Sequence, residues 1–135
     1  MNDKQAKAIQ RYIDTSARRI GLGHWRIVFD PNLSSNEVSG TSTLACILPQ
    51  ASYRRADVYV SPEFFERTPE EQSEVLFHEL CHIFLARLDE CVESIRPIMG
   101  SVAYSVWEKS YADAVEDAVD SVAKSLAKHA PPLKL

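Results

Sequence analysis

The spacing of apolar residues changes repeatedly along the chain, and each change marks an element. Residues 3 to 20 place Ile9, Tyr12, Ile13, Ala17 and Ile20 at helical spacing and stop at Gly21 and Gly23, which predicts an amphipathic first helix. Trp25, Ile27 and Phe29 then alternate with Arg26 and Val28, a strand pattern that ends at Asp30-Pro31. The Ser- and Asn-rich stretch from Pro31 to Ser42 reads as a loop. Thr43 to Leu48 and Ala56 to Val60 are two further strand segments joined by a short connection at Pro49 to Tyr53, which predicts an antiparallel pair. Ser61-Pro62 suits a short helical turn through Phe64 and Phe65, because proline fits a first helical position.

Thr68-Pro69-Glu70-Glu71 has capping-box spacing and predicts a helix from Pro69 to Leu88. Its middle, Val75 to Leu88, is apolar nearly all round, the mark of a buried central helix. A second long helix is expected over Ser101 to Lys128, with Tyr104, Tyr111, Ala112, Val115, Val119, Val122 and Leu126 on one stripe. The expected fold class is therefore α+β: an N-terminal helix, a small, mostly antiparallel sheet of three to four strands, a buried central helix and a long C-terminal helix. There is no repeat or linker, so residues 1–128 read as a single domain and residues 129–135 as a frayed tail.

Composition narrows the function. The chain has 135 residues, 45% of them hydrophobic, enough to fold around one core without a metal or disulfide, so any metal site would serve function rather than folding. A formal net charge of -4 with scattered arginine pairs argues against nucleic acid as a partner. No apolar run approaches the ~18 residues of a membrane span, and the first residues lack a signal-peptide core, so neither a membrane partner nor export is expected and the reading is cytoplasmic. Cys46, Cys81 and Cys91 are odd in number and form no C-x-x-C pair; they read as reduced, small apolar side chains.

Within the central helix stands His78-Glu79-Leu80-Cys81-His82, an H-E-x-x-H arrangement that chance yields about once in a hundred chains of this composition. On a helix the two histidines lie about 6 Å apart along the axis and only ~40° apart around it, so both rings can reach one ion. Two imidazoles leave a tetrahedral zinc ion one place for a third protein ligand and one for water. Glu79, about 100° round from His78, can approach that water as a general base without being a ligand. Two imidazoles and a carboxylate that were merely buried within one turn would each need a polar partner.

The third ligand must come from elsewhere. With Val115 set at 0° on the last helix, Glu116 lies at about 100°, at the edge of the apolar stripe beside Ala112 and Ala123, and Glu108 at about 20°, within it. Both can face the central helix; the flanking alanines, which permit close helix approach, favour Glu116 over Glu108. Asp113, Asp117 and Asp120 point further round, and together with Asp89, Glu90 and Glu93 they read as a solvated helix face.

The H-E-x-x-H segment, preceded by strand-like Ala56 to Val60 and followed by a glutamate-bearing helix, resembles the small zincin-type metallopeptidases of the gluzincin kind, including minimal prokaryotic and phage forms. The resemblance implies Zn2+ held by His78, His82 and Glu116, with Glu79 as the catalytic base, and Asp120, four residues beyond Glu116, orienting a ligand histidine. It further implies a peptide or protein substrate paired with an edge strand over Thr43 to Leu48. Cys81 is an uncommon filler of the motif. The lack of a third histidine just downstream excludes the three-histidine subclass, and no large C-terminal subdomain is present to wall the cleft. An oxyanion donor is required for peptide hydrolysis, and Tyr53, Tyr104 and Tyr111 are candidates by chemistry alone. His24 and His129 receive no role. The alternative to an enzyme is a catalytically silent zinc-binding module of the same fold, acting in regulation or protein binding. A deaminase would carry a P-C-x-x-C segment, and a nuclease would be more basic.

Overall fold

The computed structural model describes residues 1–32 and 43–135, so most of the loop expected over Pro31 to Ser42 lies outside the described residues. Helix α1 (Asp3–Arg19) begins with a reciprocal cap in which Asn2 Oδ1 accepts from the Gln5 N–H and Gln5 Oε1 accepts from the Asn2 N–H. Three strands follow, β1 (Arg26–Phe29), β2 (Ala45–Gln50) and β3 (Arg55–Val60). A 3-10 turn at Ala51–Tyr53 links β2 to β3, and another at Pro62–Glu66 leads out of the sheet.

The α+β class stands, but the sheet is mixed rather than mostly antiparallel. Its order is β1-β3-β2: β2 pairs antiparallel with β3 as expected, while β1 runs parallel to β3, Ile27 opposite Ala56. The connection after Phe29 is long enough to carry the chain to the far edge, and the apolar β3, with Ala56, Val58 and Tyr59 buried, takes the centre. β2 is left at an edge, where the missing N–H of Pro49 is tolerated.

Helix α2 (Pro69–Ser94) opens with the Thr68–Glu71 capping box and is apolar all round because it is covered on two sides. Leu76, Leu80 and Ile83 join Ile9 and Ile13 of α1, Ile27, Val58 and Phe64 in the main core. Phe77 and Cys81 form a second cluster with Val119 and Ala123 of α4 (Ser101–Lys128). α2 continues past Leu88 to Ser94, a stretch whose polar sequence hides the helical period. It ends against α3 (Arg96–Met99), and Gly100, at a φ of +82° that side chains disfavour, turns the chain into α4. α2 and α4 thus form an antiparallel hairpin. Its tip is braced by the Tyr104 hydroxyl donating to Glu93 at 2.7 Å, by Arg96 over the Tyr104 ring, and by Trp107 stacked on Tyr111. On α4 the expected stripe narrows: Tyr104, Val119 and Ala123 are buried, Tyr111, Val115 and Leu126 half-buried, and Ala112 and Val122 exposed.

The tail does not fray. Pro131 O accepts from the Tyr12 hydroxyl at 3.0 Å, the Leu133 N–H donates to buried Ser73 Oγ at 2.7 Å, and Leu133 is 1% exposed within the main core. Two prolines stiffen the approach, so little entropy opposes the docking of one apolar residue. The cysteines are unpaired: Cys81 is buried and Cys46 half-buried, as small apolar residues would be, but Cys91 is exposed. Among the described residues no helix is long and apolar enough to cross a membrane.

Candidate metal centre

The third face of α2, turned neither to the main core nor to the α4 cluster, carries His78 and His82 into a groove between α4 and the outer edge of β2. Their ε nitrogens stand 3.2 Å apart. Glu116 of α4 completes a triangle, with Oε2 3.1 Å from His78 Nε2 and Oε1 3.2 Å from His82 Nε2. Ligands about 2.05 Å from one tetrahedral ion are separated by about 3.3 Å, so the donor set has both the composition and the spacing of three corners of such a site. These three residues form a group able to hold a metal ion. Two imidazole ε nitrogens facing each other at 3.2 Å cannot both point a hydrogen at the other, so at least one presents a lone pair to the triangle.

Burial, partly offset by the charge of Glu116, lowers the His82 pKa and keeps its ring neutral near pH 7, the form that binds metal. Asp120 Oδ1 lies 3.8 Å from His78 Nδ1, the nitrogen turned away from the triangle, while its other oxygen accepts from Lys124 at 2.7 Å. Asp120 therefore stands behind His78 at ion-pair distance, on the side from which a carboxylate steers a ligand ring.

Glu79 is 8% exposed, and burial, reinforced by the Glu116 charge, pushes its carboxyl up to about 8; a hydrogen bond from the Ile47 backbone acts against the shift. Its carboxyl is thereby tied to the edge strand β2. Two adjoining cavities, of about 440 and 240 Å³, share His78, Glu79, Thr43 and Ala45, so the buried carboxyl lies where they meet.

Several sequence expectations separate here. Glu116 joins the histidines and Glu108 does not: it is half-buried some two helical turns, about 12 Å, along α4, near Tyr104. None of the three tyrosines is turned to the groove as a donor. The Tyr104 hydroxyl is committed to Glu93 and that of Tyr111 to Asp89, both at 2.7 Å, and Tyr53 is 81% exposed on the β2–β3 turn. Asp89, grouped with the solvated acids in the sequence, instead lines the larger cavity. The signal was available: positions 71, 75, 78, 82 and 89 fall on one stripe of α2, so Asp89 continues the face of the two histidines. Comparison of the chain with protein-family models, curated proteins and solved structures returned no match.

Proposed function

We propose that the protein is a zinc-dependent peptidase. The observation that carries this reading is the triangle of His78, His82 and Glu116 with the buried carboxyl of Glu79 beside it, all opening toward the edge of β2 that pairs with no other strand among the described residues. When bound, a zinc ion supplies Lewis acidity at the scissile carbonyl and makes water a nucleophile near neutral pH. His78, His82 and Glu116 would hold it, and Asp120 would keep the His78 ring in place. The edge of β2 offers backbone groups to an extended peptide and lays it along the groove. Glu79 takes the proton of the attacking water and returns it to the leaving amine. Its proton affinity, raised chiefly by burial and further by the Glu116 charge, would fall when a dication neutralises Glu116, which favours the base form in the loaded protein.

The second reading, a silent zinc-binding module, is favoured by one observation: both candidate tyrosines near the hairpin have their hydroxyls committed to carboxylates, to Glu93 and to Asp89. Incubation of the zinc-loaded protein with an unfolded protein substrate separates the two. Cleavage that stops with a chelator, returns with zinc and is absent in Glu79→Gln supports the peptidase. Bound zinc without cleavage under these conditions supports the module, and cleavage that persists in Glu79→Gln removes Glu79 from its role.

A further inference from the structure

The larger cavity has a particular construction. Its walls near β2 are apolar or small, from Ala45, Ile47 and Pro49, and at the end away from the smaller cavity stands the carboxylate of Asp89. Asp89 is half-buried, and the Tyr111 hydroxyl donates to its Oδ1 at 2.7 Å. That bond fixes the carboxylate and leaves Oδ2 without a cationic partner among the described residues, of which no lysine or arginine lines the cavity. Glu116 would be balanced by the ion it helps to hold and Glu79 stands beside that ion as the proposed base, so among the described residues Asp89 is the acid of this cavity that is set apart from the metal centre.

From this construction we infer that Asp89 selects a lysine or arginine side chain of the substrate, one or two residues from the bond to be cut. The inference rests on the peptidase reading and adds to it a substrate class. The geometry sets the reach. Asp89 lies seven residues beyond His82, roughly 10 Å along α2. An extended chain advances about 3.3 Å per residue and a lysine stem spans ~6 Å, so a side chain one or two positions from the metal centre can bring its charge to Asp89. The stem would lie on the apolar wall of Ala45, Ile47 and Pro49, and the head would meet an oxygen already held in place. A neutral side chain of the same length gains the stem contact but leaves Asp89 desolvated and unpaired, and an acidic one is repelled.

The test uses the full chain loaded with zinc and a set of fluorescent peptides that differ only by lysine, arginine, glutamine or glutamate at the two positions on each side of the scissile bond. At one position, lysine and arginine should exceed glutamine by about tenfold in kcat/KM, and the ratio should fall to about twofold or less in Asp89→Asn. Tyr111→Phe, which loosens Asp89 without removing its charge, should keep a reduced preference. The same peptides are titrated by anisotropy onto zinc-loaded Glu79→Gln, with and without Asp89→Asn. Tighter binding of the basic peptides that depends on Asp89 supports the inference even if no peptide is cut, in which case only the peptidase reading fails. Equal binding of basic and acidic peptides, or a preference unchanged by Asp89→Asn, overturns it while leaving any observed cleavage intact.

Discussion

Glu79→Gln should make the metal-free protein more stable while abolishing its proposed chemistry. Burial and the neighbouring Glu116 charge raise the Glu79 carboxyl from an ordinary value near 4.5 to about 8, so the folded chain carries a proton at pH 7 that the unfolded chain has released. A group shifted upward in this way favours the fold only while protonated: its contribution is intact below about pH 4.5 and is lost as pH rises through about 8. Each unit of pH across that window costs about 1.4 kcal/mol, on the order of 3 kcal/mol by pH 7. Glutamine has nearly the same shape, accepts the Ile47 N–H and has no charge to bury, so the cost disappears. The assay is urea unfolding of both chains, freed of metal, at pH 5 and pH 8. The two midpoints should nearly coincide at pH 5 and separate at pH 8, with the variant more stable. Because His82 titrates in both proteins, the difference between them isolates Glu79. Equal stability of the two chains at pH 8 would refute the reasoning, since the carboxyl would then be ionised without penalty and its burial would have no electrostatic consequence.

Metal stoichiometry by plasma mass spectrometry should show one zinc per chain in the wild type and in Glu108→Ala, and none retained in Glu116→Ala; the reverse pattern would move the third ligand along α4. Asp120→Asn should weaken zinc binding about 10- to 100-fold in competition with a chromophoric chelator, the usual range for loss of a carboxylate behind a ligand histidine, and unchanged affinity would remove Asp120 from that position. Leu133→Ala should destabilise the protein by about 2 kcal/mol in urea unfolding, the low end of the range for a buried leucine because the end of a chain can resettle. A freely fraying tail would show no loss.

The helices and the paired histidines of the candidate site were legible because both depend on local spacing. A capping box marks the start of α2, and two histidines four residues apart share a helix face wherever the helix goes. The choice between Glu116 and Glu108 was only half legible. Angular position on α4 is a property of sequence, but position along α4 relative to α2 is set by the turn at Arg96 to Gly100. In the hairpin Glu93 meets Tyr104, Asp89 meets Tyr111 and His82 meets Glu116, so each step down one arm is matched by a step up the other. That register places Glu108 level with residue 90, well short of the histidines. The parallel pairing of β1 with β3 depends on how a connection closes rather than on the residues of either strand. Residues 89–94 of α2 were missed because a helix held by tip contacts needs no apolar stripe, and the docked tail because one leucine has no period.

The hairpin register also bears on the lifetime of the fold. Three ligand atoms contributed by two antiparallel arms converge only when those arms are aligned, and a slip of one turn would put Ala112 or Asp120 where Glu116 now stands. An ion seated among them ties the two arms in register, and it gains its full coordination only after they have come together. Metal loading should accordingly slow unfolding and leave the rate of folding nearly unchanged. A protein built this way would resist proteolysis in proportion to how rarely it opens, even where its equilibrium stability is modest.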